Sequence, residues 1–320
     1  MHQRRWTGER ELAAVPPTAW TKADGPLIAG AVDTHEQAGY PTLFHAGSHL
    51  PDPIAEWYLY WSGHDGGGIR LHVAEDILGP WRAHGVVFDA DDAIPASDHV
   101  ASPSAIWDPD RDRLNLYYHR GYNPGGGYRQ DTALAVSSDG ESFDLRGPVI
   151  VAPMDGSWDA RERSYFRVVR IGGTFVGVYQ GRDRGGNDPG IGYAWSRDGV
   201  DWHTLAHPLF YNRHVSGADP RTFRHGSPSL TTFDRSLYVL EARRVDDRRE
   251  LYAVRFEGPD APHGGQCCVL APTEPWEDDG LEAPVVQRVD DRYYLFYNSV
   301  DSKTNRRQIG VAYAPVPRAC

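Results

Sequence analysis

The chain has 320 residues and a formal net charge of −11, with 40% apolar and 24% charged positions, a composition typical of a globular protein with a large core. The 34 Gly and 24 Pro, together with 10 Trp, 17 Tyr and 10 Phe, favour many short strands joined by turns and argue against a helical bundle. Because the basic residues occur singly or in pairs among acidic ones, no basic stripe follows a phosphate backbone, and no nucleic-acid partner is expected.

The first 20 residues carry charges where a signal peptide would need its apolar segment, at Arg4, Arg5, Glu9, Arg10 and Glu11. No uninterrupted apolar stretch approaches the length that spans a bilayer. The sequence therefore predicts a cytoplasmic protein with no membrane partner. Its three cysteines have the spacing of neither a disulfide framework nor a metal site and are predicted to be reduced and structural: Cys267, Cys268 and Cys320.

A phrase of about 60 residues recurs five times along the chain. Each copy begins with a small residue and a proline and continues with an apolar run and an aromatic strand. The anchor positions are 62, 62, 63 and 56 residues apart, with a tyrosine in place of proline in the third copy: Pro41, Pro103, Tyr165, Pro228 and Pro284.

Each copy contains further segments with the length and residues of strands. The aromatic strands lie at 57–61, 114–118, 175–179, 237–240 and 293–297. A third strand follows at 69–74, 132–136, 191–195, 251–254 and 309–313, and a weaker fourth at 86–88, 149–151, 208–210 and 268–270. Four strands per copy and five copies predict an all-β fold, a five-bladed β-propeller with four-stranded antiparallel blades.

The fifth copy ends before its outer strand. Residues 27–29 are therefore predicted to pair there and close the ring, which removes an exposed sheet edge. This prediction divides the chain into an N-terminal extension, residues 1–25, and a single propeller domain, residues 26–320.

The anchor prolines are expected at the first position of each innermost strand, because a residue that precedes proline is driven to extended geometry. The Asp-Gly turns at 139–140 and 198–199 are each followed by an aromatic residue, at 143 and 202. These turns are expected to join third to fourth strands, with the aromatic residue packed between blades. We assign them a structural role on the rim.

In a propeller the innermost strands surround a central funnel, and the residues at and just before their start project into its mouth. Charged groups do not normally begin such tightly packed strands without partners or function. Polar side chains concentrate at these positions in this sequence: Asp33, His35, Glu36, His99, Arg161, Glu162, Arg163, His225 and Glu282. We therefore expect the substrate site at this mouth.

Several short phrases carry a family resemblance: Leu-Gly-Pro-Trp at 78–81, the Ser-x-Asp-Gly-x-x-aromatic turns, and Leu-Glu-Ala-Pro at 281–284 followed by the aromatic strand. Over residues 30–315 the sequence resembles the five-bladed propellers of glycoside hydrolase family 43 and its relatives in families 32 and 117. The resemblance implies a carbohydrate-active enzyme that cleaves furanosides or related sugars, with an Asp near the first blade, a second Asp that orients it, and a Glu acid on a later blade.

This sequence departs from the family pattern at both aspartates. Tyr40 stands where the first would directly precede proline, and Ser104 stands where the second would follow it. Only Glu282 reproduces the phrase around the family's acid, and it falls in the last blade. The family's triad is therefore not transferred as a whole.

Glycoside hydrolysis needs one protonated carboxyl and one ionised carboxyl, about 6.5–9.5 Å apart for inversion or about 5 Å apart for retention. Glu162 and Glu282 are the two carboxylates best placed by the repeat. Glu162 lies between Arg161 and Arg163, whose charges are expected to keep it ionised, so it is predicted to be the base. Glu282 lies between apolar residues and is predicted to be the acid, because desolvation raises the pKa of a carboxyl.

His99 and His225 precede equivalent strands and are expected to face the axis, where they would bind hydroxyls or shuttle protons. Two histidines without a matched carboxylate are weak evidence for a metal, so no metal and no cofactor are predicted. The substrate is expected to contact arginines that clamp an anionic group, aromatic rings that stack on a sugar, and polar groups near the first anchors: Arg161, Arg163, Tyr40, Tyr165, Trp158, Asp33, Glu36 and Ser104.

The leading hypothesis is a glycoside hydrolase that acts on a small glycoside or oligosaccharide. A non-hydrolytic propeller enzyme, such as a lyase, isomerase or cyclase, is the first alternative, with His99 or His225 and Glu162 as proton carriers. The missing family aspartates favour it. A sugar-binding propeller without turnover is the second alternative.

Overall fold

A computed structural model describes residues 16–29, 37–64, 68–125, 127–154, 156–185, 190–211, 226–234, 236–245, 247–259, 265–304 and 306–317. These residues form 21 β-strands and two short 3-10 helices, Ala46–Ser48 and Pro275–Glu277, and they contain no α-helix. Within the described ranges, no helix is long and apolar enough to cross a membrane.

The strands overlap the segments predicted from the repeat, because aromatic and β-branched runs pack well on a pleated surface. The exception is the fourth strand of the third copy, predicted at 208–210, which is divided into two short strands at 203–204 and 210–211. A short strand, β1 (Thr21–Lys22), comes first. The first group of strands contains β2 (Gly39–His45), β3 (Trp57–Ser62), β4 (Ile69–Ala74) and β5 (Arg82–Phe88). The second group contains β6 (His99–Asp108), β7 (Arg113–Tyr122), β8 (Arg129–Ser137) and β9 (Asp144–Ile150).

Three further groups follow in the same order along the chain. The third contains β10 (Glu162–Ile171), β11 (Thr174–Arg182), β12 (Gly190–Ser196), β13 (His203–Thr204) and β14 (Phe210–Tyr211). The fourth contains β15 (Gly226–Phe233), β16 (Ser236–Val245), β17 (Arg248–Phe256) and β18 (Gln266–Leu270). The fifth contains β19 (Leu281–Val289), β20 (Arg292–Asp301) and β21 (Arg306–Pro315), with β1 as its outer strand.

Strands that are consecutive within a group pair antiparallel, except that β13 and β14 both pair with β12. The first, fourth and fifth groups are separate four-stranded sheets. The second and third groups join into one nine-stranded sheet through a single parallel residue pair, Glu162 of β10 with Gln130 of β8.

The N-terminal segment pairs with the last strand of the fifth group. Thr21 lies opposite Tyr313, and Ile28 forms an isolated antiparallel bridge with Ile309. The regular strand is therefore β1, upstream of the predicted residues 27–29, and it lies within the segment that the sequence assigns to an extension.

Five apolar clusters fill the space between neighbouring groups, so the core is divided among these interfaces rather than gathered in one place. The clusters join the first group to the second, the second to the third, the third to the fourth, the fourth to the fifth, and the fifth to the first. In the last of these, Leu59 and Trp61 of β3 share a cluster with Phe296 of β20 and Val311 of β21.

The first strands of the five groups each contain a β-bulge near their start. One non-glycine residue at each bulge has a left-handed backbone, with φ values of 52°, 54°, 52°, 46° and 50°, respectively: Tyr40, Ser102, Tyr165, Ser227 and Ala283. This conformation is unfavourable for residues with a side chain, and a bulge changes the direction in which side chains point.

Three predictions about the anchors are therefore wrong. The anchor proline is not the first residue of its strand, because the strand begins before the bulge: Pro41 is the third residue of β2 and Pro103 the fifth of β6. The residue before each anchor proline is left-handed rather than extended, because the bulge sets its conformation. Tyr165 itself occupies that left-handed position, so Phe166 is the residue equivalent to the prolines. With this alignment the repeat spacings become 62, 63, 62 and 56 residues.

At three bulges the left-handed residue is tied to the neighbouring group through its backbone amide. The acceptor is a polar side chain on the second strand of the preceding group, where the fifth group counts as the one before the first. Each acceptor lies opposite the residue that comes just before the bulge of its own group. The bonds run from Tyr40 to Asn298 Oδ1 (2.9 Å), from Ser102 to Ser62 Oγ (2.8 Å), and from Ser227 to Gln180 Oε1 (3.3 Å). Each bond satisfies a buried amide and fixes the position of one group relative to the next.

The Asp-Gly turns also connect neighbouring groups. Asp139 Oδ1 accepts the amide of Ser142 (2.8 Å), and the Tyr60 hydroxyl of the first group donates to the Gly140 carbonyl (2.6 Å). The ring of Phe143 meets Tyr60 edge to face at 5.8 Å. These turns therefore have the structural role predicted for them.

A cavity of about 260 Å³ lies between the inner strands. All five bulged strands, β2, β6, β10, β15 and β19, contribute to its wall, with residues that follow their bulges. The segments that precede the bulges lie at one end of this cavity, where the candidate site is found.

Candidate active site

Two tyrosines from opposite bulges meet at the centre of the site. The ring centroids of Tyr40 and Tyr165 are 5.4 Å apart, and the His64 ring lies 4.8 Å from Tyr40 and 5.9 Å from Tyr165. Arg307 places its guanidinium 4.8 Å from the Tyr40 ring. Burial raises the pKa of both tyrosines, so their hydroxyls are neutral hydrogen-bond donors.

Three imidazoles gather beside these rings: His64, which follows β3, His99 at the start of β6, and His119 on β7. One ring nitrogen from each lies within 4.8 Å of the others, and Nε2 of His99 is 3.1 Å from Nε2 of His119. The Tyr128 hydroxyl lies 2.6 Å from Nδ1 of His99. Burial lowers the pKa of both His99 and His119, which keeps these two rings neutral.

Glu282 is held by basic and amide groups from three strands. Arg249 of β17 and Arg307 of β21 form ion pairs with it, the latter at 3.5 Å, and Asn298 of β20 donates at 3.4 Å. Burial acts to raise the pKa of Glu282, but Arg307 and Arg249 outweigh it and hold the pKa below its usual value. The predicted upward shift is therefore wrong, because the fold brings two arginines to a residue whose sequence neighbours are apolar.

Glu162 is surrounded by donors from its own group. Ser164 donates to its Oε1 at 3.0 Å, Gln180 donates to the same oxygen, and Arg182 Nε lies 3.4 Å from Oε2. Arg163 instead pairs with Asp159 at 2.7 Å. The predicted support from Arg163 is wrong because successive residues of a strand point to opposite faces, and the nearby positive charge comes from Arg182.

The two carboxylates act on a common neighbour. Glu162 and Glu282 each raise the pKa of Tyr165, in addition to the larger effects of burial and of Tyr40. Two carboxylates that are 120 residues apart in the sequence are thus within electrostatic reach of one hydroxyl. The geometry brings Glu162, Glu282, Tyr40, Tyr165 and His99 into one region.

Other predicted residues lie elsewhere. Trp158 stacks on Tyr179, with centroids 6.0 Å apart, and Arg163 lies over the same Tyr179 ring at 5.7 Å. Ser104 is buried and lines the cavity beyond the bulges. Arg161 lines a separate pocket of about 350 Å³ together with Tyr128.

Three predicted residues lie outside the part of the chain that the structure describes: Asp33, Glu36 and His225. Their placement in the site stays a prediction.

The sequence reasoning missed several residues that form the site: His64, His119, Arg249, Asn298 and Arg307. All lie on or next to the second or third strand of a group, whereas the predictions considered only the start of the first strand. The repeat contains a partial signal, because Asn298, Gln180 and Ser62 occupy equivalent positions at the ends of aromatic strands.

The sequence matches no protein-family model and no curated protein. Solved structures do show the same fold. A glycosyl hydrolase from Bacteroides ovatus is 14% identical, covers 95% of this chain and 98% of its own, and has a TM-score of 0.66. An alpha-L-arabinanase from Cellvibrio cellulosa complexed with arabinohexaose is 16% identical, with coverage of 86% and 91% and a TM-score of 0.61.

A GH32 beta-fructofuranosidase from Bombyx mori is also similar, with 12% identity, 90% of this chain and 62% of that chain covered, and a TM-score of 0.61. At these identities the likeness concerns the fold. The chain therefore shares its fold with propeller glycoside hydrolases, as the short sequence phrases indicated.

Proposed function

We propose that the chain forms a closed ring of five blades over residues 26–320, with residues 1–25 as an extension that supplies the outer strand of the last blade. Five apolar interfaces support the proposal, including the one between the last group and the first. The shared wall of the cavity supports the same arrangement, since each blade provides its innermost strand. Small-angle X-ray scattering of the purified chain tests the ring shape, and an extended, open particle would contradict it.

We further propose that this protein is a glycoside hydrolase whose substrate is a small glycoside or oligosaccharide. The observation that carries the proposal is that Glu162 and Glu282 both stand ahead of the bulges of cavity-lining strands, β10 and β19. Glu282 pairs with Arg307, whose guanidinium lies over Tyr40, and the Tyr40 ring meets Tyr165, three residues after Glu162. Glycoside hydrolysis requires such a pair of carboxyls on either side of one bond. The fold adds support, because two of the similar structures are named as enzymes acting on arabinan or fructofuranosides.

The geometry favours an assignment of roles that reverses the prediction from the sequence. Arg307 and Arg249 keep Glu282 ionised, so Glu282 is the carboxylate that activates water or attacks the sugar carbon. Glu162 is the other carboxyl of the pair, and we assign it to the side of the leaving oxygen. His99 serves as a further proton carrier or hydroxyl ligand.

The rings of Tyr40 and Tyr165 provide a surface against which a sugar can place its apolar C–H face. Arg161 and Tyr128 line a separate pocket, and Tyr128 also contacts His99, so this pocket adjoins the site. We propose that it receives the next sugar unit or an anionic substituent. Ser104, Trp158 and Arg163 have the supporting contacts described above and act on the substrate only through their neighbours.

Hydrolysis of a panel of aryl furanosides and pyranosides by the wild-type chain tests the proposal. Glu282→Gln and Glu162→Gln are expected to lose at least about 100-fold in kcat, since each removes a carboxyl needed for acid-base chemistry. Glu257→Gln is the matched control, because Glu257 is exposed and its ion-pair partner among the described residues is Arg255. Folded Glu282→Gln and Glu162→Gln variants with unaltered rates would remove both carboxyls from the mechanism.

A non-hydrolytic enzyme is the second candidate. The neutral rings of His99 and His119 next to an ionised Glu282 favour it, because such groups exchange protons with carbon acids or hydroxyls. The mass of the product decides: hydrolysis adds one water, whereas isomerisation conserves mass. Sugar binding measured by calorimetry without any product would identify a binding protein.

The proposed cytoplasmic location is tested separately by cell fractionation.

A further inference from the structure

The proposed hydrolase chemistry uses His99 alone, as a proton carrier or hydroxyl ligand, and leaves the grouping of His64, His99 and His119 without a role. Two ligands of a tetrahedral ion with metal–nitrogen bonds of about 2.0–2.1 Å are about 3.3 Å apart. The Nε2 atoms of His99 and His119 are 3.1 Å apart, close to that separation. His64 is exposed, and one of its ring nitrogens lies within 4.8 Å of those of His99 and His119. A movement of its side chain by about 1–2 Å brings this nitrogen to the ligand–ligand separation of a tetrahedral ion.

The surroundings of the cluster also fit a ligand set. The Tyr128 hydroxyl, 2.6 Å from Nδ1 of His99, orients that ring with Nε2 toward the cluster, which is the arrangement of a metal-binding histidine with an outer partner. His119 is 1% exposed, and its Nε2 faces the Nε2 of His99, an arrangement in which one shared ion can bind both lone pairs.

We propose that His64, His99 and His119 bind one divalent transition-metal ion of the zinc class. Three imidazoles without a carboxylate suit zinc, cobalt or nickel and are poor ligands for calcium or magnesium, which prefer oxygen. Three protein ligands also leave one coordination position open.

The open position has a defined neighbourhood. Tyr40 and Tyr165 lie against His64. Arg167 is buried in the wall of the adjoining cavity and adds a positive charge to that of the ion. An anionic or polarised oxygen is therefore the favoured fourth ligand: a hydroxide or a substrate oxygen. This role in turnover rests on the proposed function, whereas the metal site itself does not.

The test is metal binding by the full chain. After treatment with a chelator and dialysis, zinc chloride is titrated by calorimetry, and cobalt chloride is added in a parallel sample to record visible absorption. We expect one zinc per chain and the intense cobalt bands of a four-coordinate nitrogen site. Tyr128→Phe is expected to weaken zinc binding about tenfold, as loss of an outer partner does.

Matched variants separate this site from surface histidines. His64→Ala is the decisive variant, because His64 is exposed and its truncation leaves the core intact; it is expected to lose stoichiometric zinc binding, as is His119→Gln. His84→Ala is the control, since His84 lies on β5 and contacts Glu141. Absence of zinc binding in the wild type, or undiminished binding in His64→Ala, would overturn the proposal.

Glu282→Gln distinguishes this proposal from the hydrolase proposal. It is expected to bind zinc normally and to lose glycoside turnover. If the wild-type chain hydrolyses a glycoside but binds no zinc, the hydrolase proposal stands and the metal-site proposal is wrong. If it binds zinc but hydrolyses no glycoside, the metal-site proposal stands and the hydrolase proposal is wrong.

Discussion

Replacement of Ser62 by alanine isolates the hydrogen bonds that link neighbouring groups. The Ser62 side chain is fully buried, and its Oγ accepts the amide of Ser102 at 2.8 Å. Ser102 is 1% exposed and left-handed, so its amide has no access to water when the acceptor is removed. The variant therefore loses a bond and leaves a buried donor unsatisfied.

The size of the effect follows from the cost of leaving the buried Ser102 amide without an acceptor. A buried donor left without a partner costs about 1–3 kcal/mol, more than the net value of the bond itself. We expect Ser62→Ala to lower the free energy of unfolding by this amount, with an unchanged dependence on denaturant concentration. The lowered stability is measured by urea unfolding followed by tryptophan fluorescence.

Hydrogen exchange gives the direct readout. The Ser102 amide is expected to be protected in the wild type and to exchange faster in Ser62→Ala, more than its neighbours do. Ser142→Ala is the control, because Ser142 is exposed, and such a substitution changes stability by less than about 0.5 kcal/mol. If Ser62→Ala matched that control in both measurements, the bonds between groups would not stabilise the fold.

Three further predictions concern the turns and the site. The pKa values of Asp139 and Asp198 lie below the usual value, because backbone and serine donors outweigh the effect of burial. Both carboxylates therefore stabilise the fold above the pKa of an unfolded aspartate, and this contribution is lost as the pH falls through their folded pKa. In denaturant unfolding from pH 6 to pH 2.5, about the range in which aspartates titrate, the free energy of unfolding of the double variant Asp139→Asn, Asp198→Asn should fall less steeply with acid than that of the wild type. Gly199→Ala should destabilise the chain by at least about 1 kcal/mol in the same assay, because φ is 71° and a Cβ would lie 2.8 Å from the Tyr117 hydroxyl; a neutral result would show that the turn adapts. Arg307→Met should raise the pKa of Glu282, because it removes a positive charge beside the carboxylate. The acid side of the pH profile of kcat/KM should then move to higher pH, and an unchanged profile would show that Glu282 is not the group that must be ionised.

Much of the strand arrangement could be predicted from the sequence, because it depends on local residues. The runs around Tyr58, Tyr117 and Tyr293 have the composition of buried strands, and their spacing reveals the repeat. The bulges could not be predicted, because hydrogen bonds between groups determine them, such as the bond that Tyr40 makes with Asn298. Local preferences before proline pointed to the wrong backbone conformation.

The site was predicted in part for the same reason. The position of Glu282 on a bulged strand follows from the repeat, and the structure places it beside Arg307; its role toward a substrate stays a prediction. Its ionisation state depends on Arg249 and Arg307, which lie on strands of two different groups, and no local pattern connects those residues. The three imidazoles likewise come from two groups and meet only in the folded chain.

The bonds between groups use the backbone amide of the left-handed residue and not its side chain. The side chain at these three places is therefore free to change while the architecture stays the same, which explains how one tyrosine and two serines share one backbone geometry. A library randomised at Tyr40 is a rational starting point for altering the selectivity of the proposed site with little loss of thermal resistance.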